Sequence, residues 1–116
     1  MKKSEIKYGD IIWTDFDFSV GHEFREKRPA IVIQSKEILS RSNLATVIPL
    51  TSNINNKIAD DIVVTPNKGN GLISASVIKV YNIVSCDYSR LLKLIGVADR
   101  ETLIEIKKYL KKHFDL

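Results

Sequence analysis

Short β-branched runs, separated by turn-forming residues, recur along most of this sequence and limit what it can fold into. Residues 10–16, 29–34, 45–50, 61–65, 76–81 and 91–97 are rich in Ile, Val, Thr and Tyr and bounded by Gly, Pro, Asn, Asp or Ser. That pattern reads as about six strands of a mostly antiparallel sheet or barrel. No alternation of strands with long helical segments is visible, which argues against a parallel, doubly wound fold.

Only the C-terminus carries a clear helical period. Leu103, Ile106, Leu110 and Phe114 recur at three- and four-residue steps and predict one apolar stripe. Asp99 is placed to cap the first turn by accepting an unpaired backbone N–H. Glu101 and Glu105 near the start, with Lys107, Lys108, Lys111, Lys112 and His113 toward the end, complement the helix dipole as a solvated face. A shorter helical turn is predicted over 36–41. Gly69-Asn70-Gly71 reads as a tight turn; a phosphate-cradling nest is the other use of such a cluster, but no Walker-type Lys-Ser/Thr follows it.

Composition removes several classes of protein. At 116 residues the chain has the length of a single domain, 1–116, and its 44% hydrophobic fraction suffices for a core and excludes intrinsic disorder. The single cysteine, Cys86, excludes an internal disulfide framework and a cysteine-based zinc cluster, and fits a reducing, cytoplasmic compartment. It reads as a small buried hydrophobe. Met1-Lys2-Lys3 is followed by Ser4-Glu5-Ile6-Lys7 where a secretory signal needs an apolar run, and no membrane partner is expected. Eighteen basic against fourteen acidic side chains leave a net charge of +4, a mild tilt toward polyanions.

The connection between the first two strands, 17–29, is long for a domain of this size. Loops of such length are commonly functional. This one holds His22, Glu23, Arg25, Lys27 and Arg28 together with Phe18 and Phe24. Arginine and lysine for phosphates and aromatics for base stacking are what single-stranded RNA binding uses. An ordinary polar loop with both phenylalanines tucked into the core is the competing reading. Further on, Pro49-Leu50-Thr51-Ser52-Asn53 ends a strand in consecutive hydrogen-bonding side chains. These suit either a turn or donation to phosphate oxygens.

Taken in order, Gly9-Asp10-Ile11-Ile12-Trp13-Thr14-Asp15-Phe16, Gly21-His22-Glu23, Lys27-Arg28-Pro29-Ala30-Ile31-Val32, Pro49-Leu50-Thr51-Ser52-Asn53, Asp87-Tyr88-Ser89-Arg90-Leu91 and Ile95-Gly96 resemble the MazF/PemK toxins of bacterial toxin–antitoxin systems. The resemblance runs from about Tyr8 to the terminal helix. It implies a small SH3-like (CcdB/PemK-type) barrel with a C-terminal helix, a homodimer with its groove across the two-fold, a cognate antitoxin and metal-independent, sequence-specific cleavage of single-stranded RNA (mRNA) without a cofactor. By position, the family's catalytic pair falls on Arg28 and Thr51. Phe24, Arg25, Lys27, Ser52 and Asn53 become candidate RNA contacts. Many members carry Gln-Xaa-Gly after the Gly-Xaa-Glu element, where this chain has Phe24-Arg25-Glu26; that departure bears on base preference rather than on cleavage.

The residue types fit the chemistry. Without a metal, RNA is cut by its own 2′-hydroxyl attacking the adjacent phosphorus, leaving a cyclic phosphate and a 5′-hydroxyl. Arg28 offers a permanent cation with a planar donor fork, and Thr51 a hydroxyl for a non-bridging oxygen. Arginine, with a pKa above about 12, is a poor general base, which leaves Glu23 and His22 as candidates for proton transfer. Structural roles compete: Arg28 could pair with Asp15 or Asp17, Thr51 could form only a turn, and Trp13 reads as core or dimer packing. The alternative function is a non-catalytic module on the same barrel that grips RNA or a protein such as a topoisomerase. A third, a Cys86–His22 enzyme, requires sensitivity to alkylation.

Overall fold

A computed structural model describes residues 1–17 and 26–116. Its strands are β1 (Asp10–Asp15), β2 (Lys27–Val32), β3 (Leu44–Thr51), β4 (Ile62–Val64), β5 (Ser76–Ile78), β6 (Val84–Asp87) and β7 (Leu91–Val97), with helices α1 (Lys36–Ser40) and α2 (Arg100–His113). The sheet runs β4-β5-β3-β2-β1-β7 with β6 added to β3, and every pairing is antiparallel. The mainly-β, curled antiparallel sheet with a C-terminal helix is the expected fold class. Among the described residues no helix is long and apolar enough to cross a membrane.

The sheet buries both faces, which explains why its strands read as continuous apolar runs rather than strict alternation. Ile11, Ile31, Ile48 and Leu50 point to one side and meet Ile106 and Tyr109 of α2. Ile12, Ala30, Val32, Ala45 and Val47 point to the other and meet Leu39 of α1, Phe16 and Cys86. Burying a side chain of this size stabilises the fold by about 1.5–3 kcal/mol.

Between β4 and β5 the chain doubles back onto β7. Asn70 is fully buried; its amide accepts from the N–H groups of Asn67 (3.2 Å) and Leu72 (3.0 Å) and donates to the Thr65 carbonyl (2.9 Å). Gly71 has φ +67°, and a Cβ there would lie 2.2 Å from the Ile95 carbonyl oxygen, so this close approach admits only glycine. Gly69-Asn70-Gly71 is thus a locked turn.

The α2 cap is as expected: the Asp99 carboxylate accepts from Thr102 N–H at 2.8 Å. The buried stripe is shifted from the predicted one. Thr102, Ile106 and Tyr109 are buried, Leu103 and Leu110 are partly so, and Phe114, the C-cap just beyond the helix, is exposed. The backbone N–H of Thr102 holds the Asp99 carboxyl below its ordinary value. A depressed carboxylate contributes stability above its unfolded pKa and loses it as pH falls through the folded one, here below about pH 4. Asp99→Ala is expected to cost about 1 kcal/mol near pH 7 and to narrow the gap between urea midpoints measured at pH 7 and pH 3.

Candidate active site

The β2–β3 ladder pairs Ile31 with Ile48 and Ala30 with Pro49, then stops. Pro29, next along β2, has no N–H to give to a further rung. The same register carried on two residues sets Arg28 opposite Thr51. Alternation puts Arg28 on the face of Ala30 and Val32, and Thr51 on that of Val47, so the two share one face at the strands' open ends. Both are half-buried, neither sealed in the core nor fully in solvent.

They line one cavity of about 490 Å³, with Lys27, Ser52, Trp13, Pro29, Leu50 and the segment around Gly71–Ser74. That volume lies within the range of roughly 300–1,000 Å³ usual for ligand sites. Residues of both alternation sets line the cavity.

The Thr51 hydroxyl has a defined state. Its oxygen accepts the backbone N–H of Asn53 at 3.2 Å, and Asn53 Oδ1 in turn accepts from Asn55 N–H at 3.2 Å, capping the short turn Ile54–Asn56. Thr51-Ser52-Asn53 is therefore a turn, as one reading had it. The turn also fixes the hydroxyl oxygen while its O–H meets no acceptor among the described residues. Turn former and phosphate donor are compatible roles for one side chain.

Of the other sequence candidates, Lys27 and Ser52 are exposed and line the cavity, whereas Asn53 is exposed but absent from its wall. His22, Glu23, Phe24 and Arg25 lie outside the described residues. The Asp15 carboxylate, which pairs in register with Lys27, meets Arg90 at 3.3 Å. Asp17 N–H first, and Arg90 after it, hold that carboxyl below its ordinary value. Cys86 is buried as expected, and burial pushes its thiol up to about 11. A nucleophilic role for it has no support, since the thiolate is the reactive form.

Two parts of the cavity wall were not assigned to a site from the sequence. Trp13, expected in the core or a dimer contact, is 38% exposed and lines the cavity. Its place in an otherwise buried strand gave no signal of exposure. The segment Leu72-Ile73-Ser74 forms another part of the wall; a bulky apolar residue between a tight turn and a serine was the one available hint.

A family model described as PemK-like, MazF-like toxin of type II toxin-antitoxin system matches residues 7–114. Among solved structures, the chain is similar to MazF from Deinococcus radiodurans at 22% identity, covering 96% of this chain and 97% of that one with a TM-score of 0.81. It is similar to the Mycobacterium tuberculosis toxin MazF-mt6 at 20% identity, covering 92% and 97%, with a TM-score of 0.73. A mycobacterial endoribonuclease in complex with its cognate antitoxin matches at 14% identity over 96% of each chain, also with a TM-score of 0.73. At such identities the structural likeness speaks for the fold. No curated protein matches the sequence.

Proposed function

Because this chain belongs to the family of PemK-like, MazF-like toxins of type II toxin–antitoxin systems, we propose that it is a metal-independent endoribonuclease that cuts single-stranded RNA in a sequence-specific way and thereby stops translation. The observation that carries the reading is that Arg28, near the start of β2, and Thr51, at the end of β3, line the same cavity.

In this mechanism the ribose 2′-oxygen attacks its own 3′-phosphorus. The P–O5′ bond breaks, a 2′,3′-cyclic phosphate forms, and the 5′-oxygen leaves as a hydroxyl after gaining a proton. Extra negative charge gathers on the non-bridging oxygens in the transition state. Arg28 offsets it with a guanidinium fork, and the Thr51 O–H donates to one of those oxygens. A preorganised donor of this kind is worth about 3–4 kcal/mol. Glu23 and His22 are the candidates for taking the 2′-hydroxyl proton, and Lys27, Arg25, Phe24, Ser52 and Asn53 for holding the strand.

RNA incubated with the purified protein in EDTA is expected to be cut to fragments with 5′-hydroxyl and cyclic-phosphate ends. Binding of RNA without cleavage, across a pool of sequences, would instead favour a non-catalytic module.

The cognate antitoxin is the expected protein partner, as for the mycobacterial endoribonuclease. A homodimer is part of the same proposal. Leu92 and Leu94 on the edge strand β7, 40% and 43% exposed, offer it apolar surface. Sedimentation at micromolar concentration is expected to give a dimer; a monomer alone contradicts it.

A further inference from the structure

Arg28 and Thr51 account for a phosphate, but most of the remaining cavity wall is apolar: Trp13, Pro29, Leu50, Leu72, Ile73 and Ile95. A phosphate has no use for such a wall, whereas a nucleobase does. Trp13 stands out among these residues. The residue is 38% exposed although it belongs to a strand whose neighbours Ile11, Ile12 and Thr14 are buried. Its cross-strand partners are Pro29 on β2 and Lys93 on β7, and Lys27 lines the same cavity. A part-exposed aromatic among cations, beside the proposed phosphate site, is the combination that binds single-stranded nucleic acid. Ile73 is 99% exposed. The turn leading to it is held by Asn70 and by the close approach of Gly71 to Ile95, so this apolar side chain is presented to solvent from a locked backbone.

We propose that Trp13 is a stacking platform for an unpaired RNA base beside the scissile phosphate, with Ile73 adding apolar contact from the same cavity. The assignment rests on the RNA-cleavage reading for its substrate and goes beyond it in naming the residue that holds a base.

Trp13 is the chain's one tryptophan, so intrinsic fluorescence reports on this position alone. The probe is a short randomised 2′-O-methyl RNA, which cannot be cut because its 2′-oxygen carries no proton. An abasic oligonucleotide of equal length supplies the phosphates without bases. The base-bearing probe is expected to quench Trp13 and the abasic one to leave it unchanged. Trp13→Leu is expected to raise KM for RNA by roughly 5- to 150-fold, the equivalent of one stacked base, with kcat within a few-fold, while Trp13→Phe restores most of the loss. A merely structural tryptophan would not give base-dependent quenching or this split between KM and kcat.

Cleavage of RNA with no base-dependent quenching overturns the platform and leaves the nuclease standing. Base-dependent quenching without any cleavage supports the platform and defeats the nuclease. Should Trp13→Leu fail to fold, the wild-type fluorescence and the Trp13→Phe kinetics decide.

Discussion

Replacing Arg28 with alanine is expected to lower the cleavage rate by at least about 10³-fold while leaving the fold intact. Removal of one preorganised neutral donor already costs about 10²–10³-fold, and the guanidinium adds a full charge in a cavity partly shielded from water. The fold is spared because Arg28 lies near the start of β2, half-buried, and belongs to neither buried core. Arg28→Lys keeps the charge and loses the fork, so it should recover part of the rate and none of the bidentate geometry. Rates from single-turnover cleavage, with circular dichroism as the control for folding, measure both. An alanine variant within tenfold of the wild type would remove Arg28 from the mechanism.

The largest effect on stability is expected at Asp61. This carboxylate and the Lys79 ammonium meet at 2.6 Å with side chains 0% and 7% exposed. Lys79 also donates to the Asn56 carbonyl at 2.7 Å, and Asp61 accepts from the backbone N–H groups of Ile58 (3.1 Å) and Val80 (3.2 Å). Asp61→Ala leaves a buried ammonium without its counter-charge and two backbone donors without their acceptor. Breaking such a pair costs about 3–5 kcal/mol, a fall in Tm of roughly 10–20 °C. Lys79→Met should cost less, because Asp61 would keep both backbone donors. The reverse order, or an Asp61→Ala variant as stable as the wild type, would show that the pair does not hold this region.

The position of that pair links stability to the site. Lys79 follows β5 directly, its N–H donates to the Pro49 carbonyl at 3.0 Å, and β5 pairs Val77 with Thr51. Asp61 closes the segment that leaves Thr51 through Ser52 and Asn53. One buried contact therefore pins both the strand beside Thr51 and the loop after it, and its loss is expected to loosen the turn that orients the hydroxyl.

Much of this architecture was legible in the sequence because backbone propensity and burial agreed. The β-branched runs became β1 to β5 and β7 with shifts at their ends, and Asp99 caps α2. β6 escaped notice because Val84-Ser85-Cys86-Asp87 is short and lacks a β-branched cluster; its ladder with β3, not its own propensity, makes it a strand. Phe114 falls outside the buried stripe because a helical period says which residues share a face and not where the helix stops, here at His113. The ion pair was hidden for a related reason. Asp61 and Lys79 are 18 residues apart, and a lone lysine within Val77-Ile78-Lys79-Val80 signals only that some counter-charge must be found.

Arg28 and Thr51 were singled out through the order of short motifs, and the antiparallel β2–β3 pairing explains how residues 23 positions apart come to line one cavity. The cavity wall was not reachable. Exposure of Trp13 depends on how β1, β2 and β7 curl together, and the reach of Ile73 depends on a turn locked against β7; neither is encoded in local pattern. His22, Glu23, Phe24 and Arg25 stand as expectations of sequence.

In the proposed reaction the RNA supplies its own nucleophile. A single 2′-deoxy substitution on the nucleotide 5′ of the cleaved bond, in an otherwise unchanged RNA and with EDTA present, tests it directly. Cleavage at that bond should vanish while an unmodified copy is cut to a 5′-hydroxyl end. Continued cleavage of the substituted RNA would mean that another nucleophile attacks the phosphorus, and the roles given to Arg28 and Thr51 here would not stand.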